Sequence, residues 1–164
     1  MKINVKLANL HVWQKSIEQI KEVVDEACEV ALLKVASDIK EFEQENIVAT
    51  TGNGTYQPTG NLRRSIEIEK MGYLSYRIVP NESIAPYAKW VEKGTGIYAS
   101  DGNGRQTPWV YPIGNGQFVF TQGIRPHWFV QVTSSVYFRE KNVAKIEKMF
   151  LEEINNLLLI RFGF

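Results

Sequence analysis

Residues 14–46 read QKSIEQIKEVVDEACEVALLKVASDIKEFEQEN, with no glycine and no proline. Ile17, Ile20, Val24, Ala27, Ala31, Val35 and Phe42 recur at helical spacing, with Cys28 and Ile39 beside that stripe. Lys15, Glu18, Lys21, Glu22, Asp25, Lys34, Lys40 and Glu43 fall mostly elsewhere. The spacing predicts one long amphipathic helix. Its apolar stripe is longer than a small sheet can cover, so part of it is expected to face another subunit.

Upstream, Ile3, Val5 and Leu7 alternate with Asn4 and Lys6, which reads as a short strand or extended arm over 1–13. Downstream, the glycine-rich segment 49–61 reads as a loop. A strand is predicted over Leu62–Glu69, with Ile66 and Ile68 on one face. Met71-Gly72-Tyr73 turns the chain, and Leu74, Tyr76 and Ile78 continue a hairpin with one wet face. Pro86 opens a short helix, Tyr87–Glu92, which Gly94 stops. A loop over 95–107 precedes two strands, Trp109–Pro112 and Gln117–Thr121, around Gly114-Asn115-Gly116. Val143, Ile146, Met149, Phe150, Ile154, Leu157 and Leu158 mark a C-terminal helix. The β-branched run from Val130 to Tyr137 leaves its start open. The order predicts one α+β domain over 1–164. A long N-terminal helix and a C-terminal helix pack on a small, mainly antiparallel sheet, with a short helix between strands.

Bulk properties narrow the function. A chain of 164 residues buries roughly 70% of its unfolded surface, enough for a core without disulfides. The net charge of +1 provides no global pull toward nucleic acid or an anionic membrane. Cys28 is the single cysteine, which fits a reducing compartment. The longest apolar run, Leu157–Ile160, is too short to span a bilayer. Synthesis in a cytoplasm is the expectation.

Reactive constellations are sparse. The two histidines, His11 and His127, have no partners at ligand spacing, and HExxH and CxxC are absent. Cys28 lies on the buried edge of the helix, without an activating base nearby in sequence. Gly94-Thr95-Gly96 and Gly114-Asn115-Gly116 lack the strand, Lys-Ser/Thr and helix of a phosphate loop. No catalytic residue, metal or cofactor is therefore assigned. Glu92 stands apart, just before the Gly94-Thr95-Gly96 turn, whose amides it is placed to accept. Arg63, Arg64, Arg77, Arg105 and Arg125 are interleaved with acids. Arg64, Arg77, Arg105 and Arg125 are candidates for a subunit interface.

Three ordered segments carry a resemblance. The first is Thr59-Gly60-Asn61-Leu62-Arg63-Arg64-Ser65-Ile66, read as opening a strand. The second is Tyr87-Ala88-Lys89-Trp90-Val91-Glu92-Lys93-Gly94-Thr95-Gly96. The third is Gly123-Ile124-Arg125-Pro126-His127-Trp128-Phe129. Together they resemble the head–tail joining or tail-completion proteins, often called minor tail proteins, of long-tailed bacteriophages. The resemblance covers roughly residues 14 to 158. His127-Trp128 stands where the family usually has proline, and residues 96–109 form a longer, glycine-rich insertion.

The resemblance implies a fold motif made by Thr59, Gly60, Leu62, Arg63, Ser65, Tyr87, Trp90, Val91, Glu92, Gly94, Thr95, Gly96, Pro126 and Phe129. In physical terms, Leu62 begins the buried face of the strand, and Tyr87 and Trp90 pack the short helix on the sheet. It further implies a ring, commonly of six subunits, in the virion at the head-proximal end of the tail. The implied partners are other copies of the chain, the tail-tube protein and the head-completion or connector proteins. DNA passes through the centre without specific binding, and no membrane is involved. A head-completion adaptor or a tail-tube terminator at the same junction is the alternative. A small metal-dependent hydrolase using Glu67, Glu82 and Glu92 is the enzymatic competitor.

Overall fold

The computed structural model describes residues 10–51 and 60–163. The expected strand over Ile3–Leu7 and the motif residue Thr59 lie outside them. Helix α1 runs Leu10–Thr51. It takes in the last residues of the predicted arm and the first of the predicted loop. After it come α2 (Asn61–Ser65), strands β1 (Ile66–Gly72) and β2 (Ser75–Pro80), and α3 (Ala88–Lys93). A 3-10 turn over Gly96–Tyr98, strands β3 (Trp109–Gly114) and β4 (Gln117–Thr121), and helices α4 (Phe129–Tyr137) and α5 (Glu140–Phe162) complete the chain.

The class is α+β, with a long helix at each end of the described chain. The strands form two separate antiparallel pairs, β1–β2 and β3–β4. Helix α1 is the spine: α5, α4, β1, β2 and α2 all pack against it. Helix α5 therefore lies along α1, and the β3–β4 pair packs mainly on itself.

The long helix follows the predicted stripe only in its middle. Ala27, Ala31 and Val35 are buried, joined by Val23, Ala36 and Ile47. Ile17 is 62% exposed and Ile20 42%. The reason is the length of α5. It runs antiparallel to α1, with Lys145 on Asp38 (2.6 Å), Lys34 on Glu153, and Arg161 on Glu26 (2.8 Å). Arg161 is in the last turn of α5, so the cover ends near Glu26. The stretch Leu10–Glu22 continues beyond it for about 20 Å at the helical rise. Such exposed ion pairs contribute only about 0–1 kcal/mol each. They set the register, and the small residues of the α1 stripe let the two helices approach.

Two local predictions change. Leu62–Ser65 is a helical turn, not strand. Gly60 takes the left-handed conformation (φ 75°) before it, and the Arg64 amide donates to the Gly60 carbonyl (3.0 Å). Ser65 Oγ donates back to the Leu62 carbonyl (2.7 Å), a local bond that competes with the sheet ladder. Leu62 is still buried, but from the helical turn. The hairpin also turns two residues later than Met71, since β1 continues through Gly72 and Leu74 occupies φ 49°.

The β-branched run from Val130 to Tyr137 is helix α4. Phe129, Thr133 and Tyr137 are its buried residues, spaced by four, so packing on α1 overrides strand propensity. The β3–β4 turn forms as predicted, with Asn115 at φ 51° and Gly116 at φ 72°, the sense that suits strand twist.

Candidate functional site

The three motifs, far apart in sequence, meet at one core. Leu62 from the first, Ala88 from the second and Phe129 from the third are buried with Ile47, Ile66 and Ala85. Tyr87, Val91 and Ile78 pack against that cluster. Around it the motif residues satisfy backbone groups. The Asn81 amide donates to the Ser65 carbonyl (2.7 Å), and Gln44 Nε2 donates to the Arg63 carbonyl (2.9 Å).

The second and third motifs are joined backbone to backbone. His127 N donates to the Val91 carbonyl (2.9 Å), Thr95 N to the Ile124 carbonyl (2.9 Å), and Ile97 N to the Gln122 carbonyl (3.0 Å). Thr95 Oγ1 accepts from Ile124 N (3.0 Å). Gly96 has φ 62°, and a Cβ there would lie 1.9 Å from the Gln122 carbonyl oxygen. A Cβ on Gly94 would meet Pro126 Cδ and two carbonyl oxygens at 2.8 Å. These glycines serve close backbone approach.

Glu92 caps a helix, but not the expected turn. Its Oε2 accepts from Val130 N (3.0 Å) and its Oε1 from Gln131 N (3.1 Å). Those are amides of the first turn of α4, whose own preceding residue, Trp128, offers no side-chain cap. A carboxylate there meets unpaired donors and the positive end of the helix dipole. Glu92→Ala is expected to lower stability by about 1–2 kcal/mol, read by thermal unfolding. The loss should be smaller at pH 8, where removing Glu92 also relieves its repulsion of Glu43.

Trp90 is 49% exposed, with Lys89 Nζ 4.8 Å from its ring centroid. It faces outward and does not pack α3 on a sheet, because α3 presents Ala88 and Val91 to the core. The interface candidates are dispersed. Arg64 bonds Asn61 Oδ1 (2.6 Å), and Arg77 pairs with Glu69 across the β1–β2 ladder (2.6 Å). Arg105 lies over Trp109 (5.7 Å) and Arg125 over Tyr98 (5.1 Å). Arg63, Arg64, Arg77, Arg105 and Arg125 are all solvent-exposed.

Two of the three carboxylates of the enzymatic competitor have structural duties. Glu67 Oε1 accepts from Asn81 Nδ2 (3.0 Å), and Glu92 spends both oxygens on α4. Glu82 is exposed, on an open cleft also lined by Pro80, Lys89 and Glu92. Among the described residues no three His, Cys, Asp or Glu side chains group as metal ligands, and no helix is long and apolar enough to cross a membrane.

Two glutamates escaped the sequence reading. Glu29 accepts from the Leu74 amide, Lys70 Nζ and Tyr76 OH, each at 2.9 Å. These bonds, the Leu74 amide first, hold its carboxyl down at about 2. Glu29 thereby fastens the β1–β2 turn to α1. Its folded pKa lies below the usual 4.5, so this stabilisation is present above pH 4.5 and is lost as pH falls toward 2. Glu29→Ala should speed amide exchange at the β1–β2 turn and flatten that acid limb.

Glu43 is 2% exposed, and its Oε1 has no hydrogen-bond partner. Burial first, and the nearby Glu92 charge second, push its carboxyl up to about 7. The sequence reading set Glu43 mostly off the stripe. It stands eight residues after Val35 and four before Ile47, both buried, and that i, i+4 relation was the available signal.

A core built from three motif segments, with motif glycines and Glu92 given over to backbone groups, makes these motif residues specifiers of the fold. Residues 13–94 match the family model HK97-gp10_like, described as "Bacteriophage HK97-gp10, putative tail-component". The chain belongs to this HK97-gp10-like family. The match takes in the first motif and the second as far as Gly94. No curated protein and no solved structure gives a significant match.

Proposed function

We propose that this tail component is a structural virion protein that assembles as a ring at the head-proximal end of the tail and joins tail to head. Its function on this reading is assembly and not catalysis. The observation that carries the assembly reading is the N-terminal end of α1, which α5 does not cover. The helix continues past the end of α5 with Ile17 and Ile20 exposed. An isolated helix of that length is marginal in water, so its stability calls for a neighbour. The family supplies the tail, and the ordered motifs supply the resemblance to tail-completion proteins. The partners on this reading are further copies of the chain, the tail-tube protein and the head-side connector proteins, with DNA passing through the centre.

Electron microscopy of virion necks from phage carrying a tagged copy tests the reading. Label confined to a ring between head and tail is expected. Label along the tube, at the distal tip or inside the head would overturn it. Tails assembled without the protein should be unable to join filled heads until purified protein is added.

A further inference from the structure

Two carboxyls stand at the start of α4, in very different surroundings. Glu92 of α3 has both oxygens on the amides of Val130 and Gln131. Glu43 of α1 is 2% exposed, and its Oε1 has no hydrogen-bond partner. An ionised carboxyl buried without partners is costly, so such a group keeps its proton.

Helix α1 carries Glu43 to the place where α4 crosses. Three residues on, Asn46 Nδ2 donates to Thr133 Oγ1 (2.9 Å), which itself donates to the Phe129 carbonyl (2.7 Å). Four residues on, Ile47 is buried with Phe129 and Ala88. Glu43 is thus within one helical turn of both ties between α1 and α4.

The surrounding charges do not neutralise it. Among the described residues no Lys or Arg forms an ion pair with Glu43. Helix α4 has no charged residue. On α3, Lys89 lies over the Trp90 ring, Lys93 is exposed, and Glu92 repels. On α2, Arg63 and Arg64 are exposed. The strands commit Glu67 to Asn81, Arg77 to Glu69, and Lys70 to Glu29. Helix α5 sends Lys145 to Asp38. On α1 itself Lys40 is half-buried, and Glu41 and Glu45 are exposed.

The start of α4 is also the weakest cover in this region. Trp128, just before it, offers no side-chain cap and sits at φ 52°, which is strained for a bulky residue. An open cleft reaches the same place, lined by Ala88, Glu92, Phe129 and Val130.

We propose that Glu43 and Glu92 form a proton-controlled latch on the third motif. With Glu43 neutral, the start of α4 is seated on α1. With Glu43 ionised, residues 128–133 lift toward the cleft while the rest of the fold stays closed. Water then reaches the Glu43 carboxylate, Glu92 moves away from it, and Trp128 leaves its strained backbone. The seated carboxyl titrates at about 7, against 4.5 in its ordinary state. The seat is therefore at full strength below about pH 4.5 and weakens until about pH 7.

Amide hydrogen exchange of the full chain from pH 5 to 8, corrected for the intrinsic rate at each pH, tests this. In wild type, protection of the Val130, Gln131 and Val132 amides should fall about tenfold per pH unit up to about pH 7 and then level off. Glu43→Gln should keep it flat. Glu92→Gln should lower it at every pH, because a cap is weakened, and should show a smaller fall. The β3–β4 amides should be the same in wild type and Glu43→Gln. Low urea should leave the α4 rates unchanged, as a small local opening requires.

Equal pH dependence in wild type and Glu43→Gln overturns the proposal. So does a fall of the same size in the central amides of α1 and α5, because ionisation would then loosen the whole chain. If Glu43→Gln does not fold, the wild-type series still decides between a fall confined to residues 128–133, which supports the latch, and a uniform one, which overturns it.

Discussion

Phe129→Ala is expected to destabilise the protein by about 3–5 kcal/mol and to lower its thermal midpoint by roughly 6–20 °C, at about 2–4 °C per kcal/mol for a chain of this size class. Phe129 is 1% exposed and is the largest fully buried side chain among the described residues. Its removal strips the third motif from a core that the first two share through Leu62 and Ala88. The same residue opens α4, whose first-turn amides Glu92 holds. The cavity would thus form where a helix begins, beneath the crossing of α1 and α4. Phe129→Leu, which leaves a smaller cavity, should lose much less. Comparable losses for the two substitutions in urea unfolding would show that the ring is not packed as described. Trp90→Ala is the matched control. It removes a larger ring from an exposed position, where substitutions usually fall within about 0.5 kcal/mol.

That contrast shows what the sequence could and could not disclose. The long helix was legible because a stretch without glycine or proline and with apolar residues at helical spacing has few other solutions. The motif segments were legible as fold-specifying, and Gly94 and Gly96 behave as breakers for the reason their positions suggested. Three features were not legible. Helix α4 is written in β-branched residues, and only its burial on α1 and a cap from Glu92, 38 positions away, make it helical. The turn at Asn61–Ser65 depends on the conformation of Gly60 and on a Ser65 hydroxyl that bonds its own backbone. Trp90 was placed inside by its size, yet α3 is too short to bury two faces and it gives the core Ala88 and Val91. In each case the deciding contact is nonlocal or a matter of a few dihedral angles, which periodicity does not encode. The same holds for the candidate interface. The excess length of the α1 stripe was visible, but where its cover ends depends on the register of α5, which sets Arg161 beside Glu26.

Glu43→Gln is expected to remove most of a pH dependence that wild type shows between pH 4.5 and 7. The carboxyl titrates at 4.5 in its ordinary state and at about 7 in the fold. A raised folded pKa means that the native state holds its proton more tightly than the unfolded state across that interval. The unfolded chain therefore binds fewer protons, and stability falls as pH rises from about 4.5 and levels off above about 7. The shift corresponds to a loss on the order of 3 kcal/mol by pH 8. Gln keeps the shape and cannot ionise, so the variant should gain about that much over wild type at pH 8 and little at pH 5. The other shifted groups act elsewhere: Glu29 at about 2, Tyr73 and Tyr137 at about 12, and Lys70 and Tyr76 above their ordinary values. Contributions of all other groups are common to wild type and Glu43→Gln and cancel in the comparison. The two carboxylates of this region divide unequally. Glu92 has both oxygens on the amides of α4, whereas Glu43 has an oxygen with no partner. Glu92→Gln should move the wild-type midpoint downward, but not as far as 4.5, because burial is the larger cause of the shift. Denaturant unfolding of the three proteins at pH 5, 6, 7 and 8 measures all of this. A wild type whose stability tracks that of Glu43→Gln at every pH would mean that the carboxyl ionises in the fold as freely as in water, and that Glu43 is not the buried neutral acid its 2% exposure implies.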